Sequence, residues 1–254
     1  MSRVLAIART TLLEVVRERM VLTLALFGVG LVGASQVLSP LALGEGRKVV
    51  TDFGLAGSSM LATLLGVFLG SSLLHKELDR RTIYAVMAKP IRRSEFLLGK
   101  FAGLWATTAF LLVGMTAIVF LLLLVVYHQA PWVILGSMAL SLAELLVIVA
   151  IVVLFSSFTT PALAAFFAIA TVVAGHFAED LHYFGLQGSA LLSAVTGGVY
   201  WLLPHLDLFN ARGLVVHGLA VDPARIGFAS AYAGLYAAAA LTAASAIFER
   251  REFR

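Results

Sequence analysis

Cysteine is absent from the 254 residues. That excludes disulfides, thiolate metal sites and thiol chemistry, and it leaves the compartment undecided. Charge is scarce too: 13% of residues are Asp, Glu, Lys or Arg, against about 25% in soluble domains. Strict polar–apolar alternation over strand lengths is also missing, which argues against a membrane β-barrel. What fills the chain instead is 61% hydrophobic residues at a mean hydropathy of +0.98. Several apolar runs exceed the roughly 18 residues that mark a transmembrane helix. The fold class is an all-α polytopic membrane protein, with residues 1–254 forming a single membrane domain.

The net charge of +4 and pI near 9.6 do not require nucleic acid, and no nucleic-acid partner is expected. Basic residues gather at the cytoplasmic edges of membrane spans, where they meet lipid headgroups. Residues 1–19 carry Val4, Leu5, Ala8, Leu12, Val15 and Val16 at helical spacing, with Arg3, Arg9, Glu14, Arg17 and Glu18 mostly elsewhere. This reads as an amphipathic interfacial helix feeding the first span. Gly33-Ala34-Ser35 imitates a signal cleavage site, but Glu14 and Glu18 favour a retained anchor.

Six spans are expected, at about 20–38, 53–74, 101–127, 132–155, 161–177 and 226–248. Residues 181–225 are apolar in part but interrupted by Gly185, Gly188, Gly197 and Gly198 and punctuated by Pro204 and Pro223. Charge decides their status. With six spans and both termini cytoplasmic, four basic residues precede span one, seven lie between spans two and three, and three end the chain. Only Arg47, Lys48, Arg212 and Arg225 then lie outside. A seventh span would reverse the C-terminal arginines. Residues 181–225 are therefore expected to be an extracytoplasmic excursion with re-entrant or interfacial helices buried against protein.

Residues 74–101 form the long polar stretch between two strongly apolar segments, and hold Lys76, Arg80, Arg81, Lys89, Arg92, Arg93 and Lys100 against Glu77, Asp79 and Glu95. Within it Ile83, Tyr84, Val86 and Met87 make a short apolar run that Pro90 stops. Such a helix, bounded by charge and proline, suits docking to a partner. The stretch resembles the cytoplasmic loop of type-2 ABC transporter permeases, the membrane subunits of type V exporters. The features that carry the resemblance are Glu77, the short helix Arg81-Thr82-Ile83-Tyr84-Ala85-Val86-Met87, then Pro90, Arg92 or Arg93, and Gly99-Lys100. The amphipathic start, six spans and late excursion match that family's layout, and the sequence looks closest to bacterial permeases grouped with multicopper-enzyme maturation.

The resemblance implies two permease copies, identical or homologous, on two ATP-binding subunits in the bacterial cytoplasmic membrane. Residues 76–100 would be the coupling loop, with Glu77, Arg81, Thr82, Ile83, Tyr84, Val86, Met87, Pro90, Arg92 and Arg93 meeting the ATPase. ATP and Mg would reside on that partner, and the transport path would run between copies, lined by spans one, two and five. This chain lacks a P-loop: Gly99-Lys100 is followed by Phe101, and Ser94 stands where the earlier glycine belongs. The chain is not expected to be an enzyme or to hold a cofactor or metal.

Glu144 is the one ionisable side chain in mid-span. It contacts substrate or protons, or else it is a structural partner of a hydroxyl such as Ser141 or Ser137, or a protonated residue that the bundle merely tolerates. His176, Glu179, Asp180 and His182 cluster at the end of span five. They support an alternative reading as a stand-alone metal-binding membrane protein or enzyme. On one helix, however, His176 and His182 stand about 120° apart in facing, and no His-Glu-x-x-His is present. His205, Asp207, Asn210 and His217 read as turn and cap residues. Gly66-x-x-x-Gly70, Gly99-x-x-x-Gly103 and the alanines of 229–246 permit close helix packing.

Overall fold

The computed structural model describes residues 3–16, 19–38, 44–79, 93–128 and 130–250, and every regular element within them is helical. In chain order these are α1 (Arg3–Val16), α2 (Arg19–Leu38), α3 (Gly46–Asp79), α4 (Arg93–Tyr127), α5 (Ile134–Ser156), α6 (Pro161–His176), α7 (Ala178–Leu186), α8 (Ala190–Leu202), α9 (Arg212–Val216) and α10 (Pro223–Arg250). A 3₁₀ turn, Leu206–Phe209, precedes α9. Proline opens α6 and α10, where its missing N–H removes no helical bond.

Four helices among the described residues are long and apolar enough to cross a membrane: Gly46–Ser72, Ser94–Tyr127, Ile134–Ser156 and Pro223–Phe248. A fifth is made if α6 and α7, bent by 58° at Phe177, count as one broken span. In α2 the apolar part is shorter, Val21–Ser35. The expected count of six therefore needs both α2 and the broken helix as spans. The bend also revises the histidine geometry, since His176 and His182 lie on different helices.

The centre of the bundle is α5. Every residue from Leu145 to Val153 except Leu146 is buried, because α3, α4, α6 and α10 all pack on it. A helix apolar all round belongs in such a place. Its contact with α10 is made by Ala229, Ala233, Ala237, Ala240 and Ala244, all buried. Their small side chains let the two backbones approach closely.

At 34 and 35 residues, α3 and α4 are each about 51–53 Å long at 1.5 Å per residue. That exceeds a hydrocarbon core of about 30 Å. Against the start of α4 lies α1. A Cβ on Gly99 would meet Ile7 Cβ at 2.6 Å, and one on Gly103 would meet Thr11 Cβ at 2.6 Å. Lys100, buried, reaches Glu14 at 3.7 Å. The Gly-x-x-x-Gly pair thus seats the N-terminal helix. The face it uses includes Ile7 and Thr11, whereas Leu5, expected on the apolar face, is 54% exposed.

The segment between α7 and α10 folds back on the bundle. Leu206, Phe209, Ala211 and Val215 are buried in the same core as Val67, Ile148 and Val152. Arg225 on α10 holds it there, its Nη2 donating to Leu208 O and Asn210 O, each at 3.1 Å. Gly218, at φ +77°, ends α9 with the paired bonds Gly218 N–H to Val215 O and Leu219 N–H to Leu214 O, both 2.9 Å. This is the left-handed glycine cap that stops a helix and turns the chain.

Candidate functional site

A cavity of about 550 Å³ opens between α2, α3, α5, α6 and α9. Its walls are mainly apolar: Leu31 from α2, Phe53, Met60 and Val67 from α3, and Ile169, Val172 and Val173 from α6. Ser59, also in the wall, donates its hydroxyl to Ala56 O at 3.1 Å, so it offers no free donor to an occupant. Among the described residues, three ionisable ones line the space: Glu144, His176 and Arg212.

Glu144 and His176 meet at 3.1 Å, Oε1 to Nε2, with side chains 12% and 33% exposed. The other imidazole nitrogen, Nδ1, lies 2.9 Å from Val172 O. A carbonyl only accepts, so Nδ1 carries a hydrogen. Nε2 then either donates to a carboxylate, as imidazolium, or accepts from a protonated Glu144. Both arrangements hold the same protons, and in both the pair has no net charge. An isolated carboxylate inside a membrane bundle is costly, and this pairing removes the cost.

Arg212 therefore sets the charge of the cavity. It starts α9, with its backbone N–H on Asn210 Oδ1 at 3.3 Å. Among the described residues its guanidinium makes no ion pair.

A second polar group lies beyond α6. His182 stacks on Tyr200 at 4.7 Å, Tyr200 meets His205 edge-on at 4.3 Å, and His205 N–H donates to Tyr232 Oη at 3.1 Å. Among the described residues, no group of three or more His, Cys, Asp or Glu is placed to hold a metal ion. His176, with both nitrogens engaged, is separate from this group. The arrangement is an aromatic brace between α7, α8 and α10.

The expected site residues fall into two sets. Arg81, Thr82, Ile83, Tyr84, Val86, Met87, Pro90 and Arg92 lie outside the described residues, while Glu77 is in the last turns of α3 and Arg93 is the first residue of α4. Glu144 is in the cavity wall as a polar group, but its partner is His176 and not Ser137 or Ser141. That partner was within reach of sequence reasoning. Counted from the 157–160 turn, Glu144 and His176 lie within about one helical turn of the same height on antiparallel neighbours. No pattern in the sequence points to Arg212.

Helices long and apolar enough to cross a bilayer, enclosing a cavity lined from several of them, are the architecture of a polytopic membrane protein. The chain belongs to the ABC-2 transporter family: the family model described as "ABC-2 family transporter protein" matches residues 30–253. It is thus the membrane permease subunit of an ABC transporter, a multi-pass membrane protein that works with an ABC ATPase subunit. No curated protein matches the chain.

Proposed function

We infer that this permease is an exporter subunit that couples ATP hydrolysis on two separate ATPases to movement of substrate through a path between two permease copies. The observation that carries the reading is the cavity. It is walled by α2, α3 and α6, the helices assigned as spans one, two and five, and it reaches the Glu144–His176 pair. In this reading α2 and the broken α6–α7 helix both count as spans. The termini and residues 76–100 are cytoplasmic, and the excursion of residues 181–225 leaves the membrane on the extracytoplasmic side through the second half of that broken span. The coupling helix is residues 81–87, with Glu77, Pro90, Arg92 and Arg93 flanking it. The likeness to multicopper-enzyme maturation permeases supports a bacterial cytoplasmic membrane and fixes no substrate.

The test is to replace Ile83, Tyr84, Val86 and Met87 by aspartate in a permease–ATPase complex. Substrate-stimulated ATP hydrolysis should vanish while the permease still inserts in the membrane. Hydrolysis that stays coupled in the inserted variant would refute the assignment.

A further inference from the structure

We propose that the cavity between α2, α3, α5, α6 and α9 binds an anionic amphiphile as cargo, its apolar chain along α3 and its charged head at Arg212. This rests on the permease reading and names the substrate class for it. Size is the first support, since 550 Å³ falls within the roughly 300–1,000 Å³ of ligand pockets.

Wall chemistry is the second. The face of α3 from Phe53 to Val67 is mainly hydrocarbon; its two hydroxyls are Ser59, already bonded within its own helix, and Thr63. Sugars and other many-hydroxyl cargoes would lose their hydrogen bonds to water there and recover few. The rim fits the same occupant: Phe53, Met60 and Val173 are 50%, 63% and 52% exposed, so an alkyl chain longer than the cavity runs out over apolar surface into lipid.

Charge is the third support. Glu144 and His176 cancel each other in either proton arrangement, because Nδ1 of His176 is held by Val172 O. Arg212 remains, a guanidinium without an ion-pair partner among the described residues. A planar five-donor group of this kind recognises phosphate or carboxylate. One fixed positive charge in the wall of an apolar slot suits a ligand with one anionic head and a long chain.

Radiolabelled hexadecyl phosphate, with uncharged hexadecyl maltoside as competitor, tests the proposal on the full-length chain in phosphatidylcholine nanodiscs. Saturable binding is expected, weakened about tenfold by Arg212→Gln and by less than that in Arg212→Lys, which keeps the charge and loses the planar fork. Met60→Trp should weaken binding by filling the slot, and the maltoside should compete poorly. In the permease–ATPase complex, hexadecyl phosphate should raise ATP hydrolysis in wild type and not in Arg212→Gln. Equal binding of charged and uncharged compounds, or binding indifferent to Arg212→Gln, overturns the proposal. Binding that leaves hydrolysis unchanged overturns its cargo role. A chain that binds as expected but associates with no ATPase upholds the site and refutes the permease coupling, so the two failures are distinguishable.

Discussion

Glu144→Ala and His176→Ala, alone and together, measure how far the intramembrane pair holds the bundle together. Removing one partner of a buried pair costs about 3–5 kcal/mol, because the other is left desolvated. Here His176 borders a cavity and is 33% exposed, so hydration from that side reduces the cost to about 2 kcal/mol for each single change. Interhelical hydrogen bonds in membrane proteins couple by at most about 1.7 kcal/mol. A coupling of about 1.5 kcal/mol is therefore expected, and the double variant should lose about 2.5 kcal/mol, not the 4 of independent sites. The assay is reversible unfolding in mixed micelles, followed by tryptophan fluorescence. Trp105 is a suitable reporter, since its Nε1–H donates to Leu142 O at 3.3 Å, two residues from Glu144. Losses that simply add would show that the two side chains do not support each other, and the charge-neutral pair would fall with them.

The glycines give a second prediction with its own control. Gly103→Val should destabilise by about 1–3 kcal/mol through overpacking, because Thr11 Cβ and Ala8 O stand 2.6 and 2.7 Å from the new Cβ. Gly114→Val, with nothing within 4 Å, should cost at least 1 kcal/mol less in the same unfolding assay. Arg225→Gln should loosen residues 206–216 by removing the bonds to Leu208 O and Asn210 O. Amide exchange in that segment should rise several-fold while that of α5 stays unchanged. The absence of cysteine makes topology directly testable: Ser189→Cys should react with an impermeant maleimide on intact cells, and Ser2→Cys only after permeabilisation. The reverse pattern would invert the proposed orientation.

Hydrophobic periodicity made some of this architecture legible and left other parts hidden. The core place of α5 follows from its composition, since a helix without a polar face has nowhere else to go. The alanines of α10 likewise announce a close contact, and it falls on α5. The Gly99–Gly103 pair announces one too, but the identity of its partner depends on three-dimensional arrangement. Thr11, Ile7 and Ala8 meet it because α4 extends past the membrane thickness and offers α1 a surface. The break at Phe177 falls where span five was expected to end, two residues after Gly175, a glycine that Leu206 and the Pro204 carbonyl approach closely; what was not legible is that a helix resumes at Ala178, bent by 58°. Arg212 escaped notice because its role depends on α9 folding back onto α3, a long-range contact with no local signature.

The length of α3 joins the two halves of the reading. The same unbroken helix that carries Phe53, Met60 and Val67 into the cavity runs on to Asp79, inside the proposed coupling loop of residues 76–100 and two residues short of the proposed coupling helix at 81–87. From Val67 to Asp79 is about 18 Å of helix, too short to bend much. A push at the Asp79 end therefore moves the cavity wall as a rigid body. α5 resists such motion, since Gly70 fits against Val152 so closely that a Cβ would sit 2.6 Å away. If the proposed coupling holds, such a push is expected to turn the wall about Gly70 and to open the cavity on the side facing α2 and α6. Packing there is looser: Gly57, opposite Leu31, has room for a Cβ at 3.5 Å. Tight contact on one side of α3 and slack on the other give a hinge its direction.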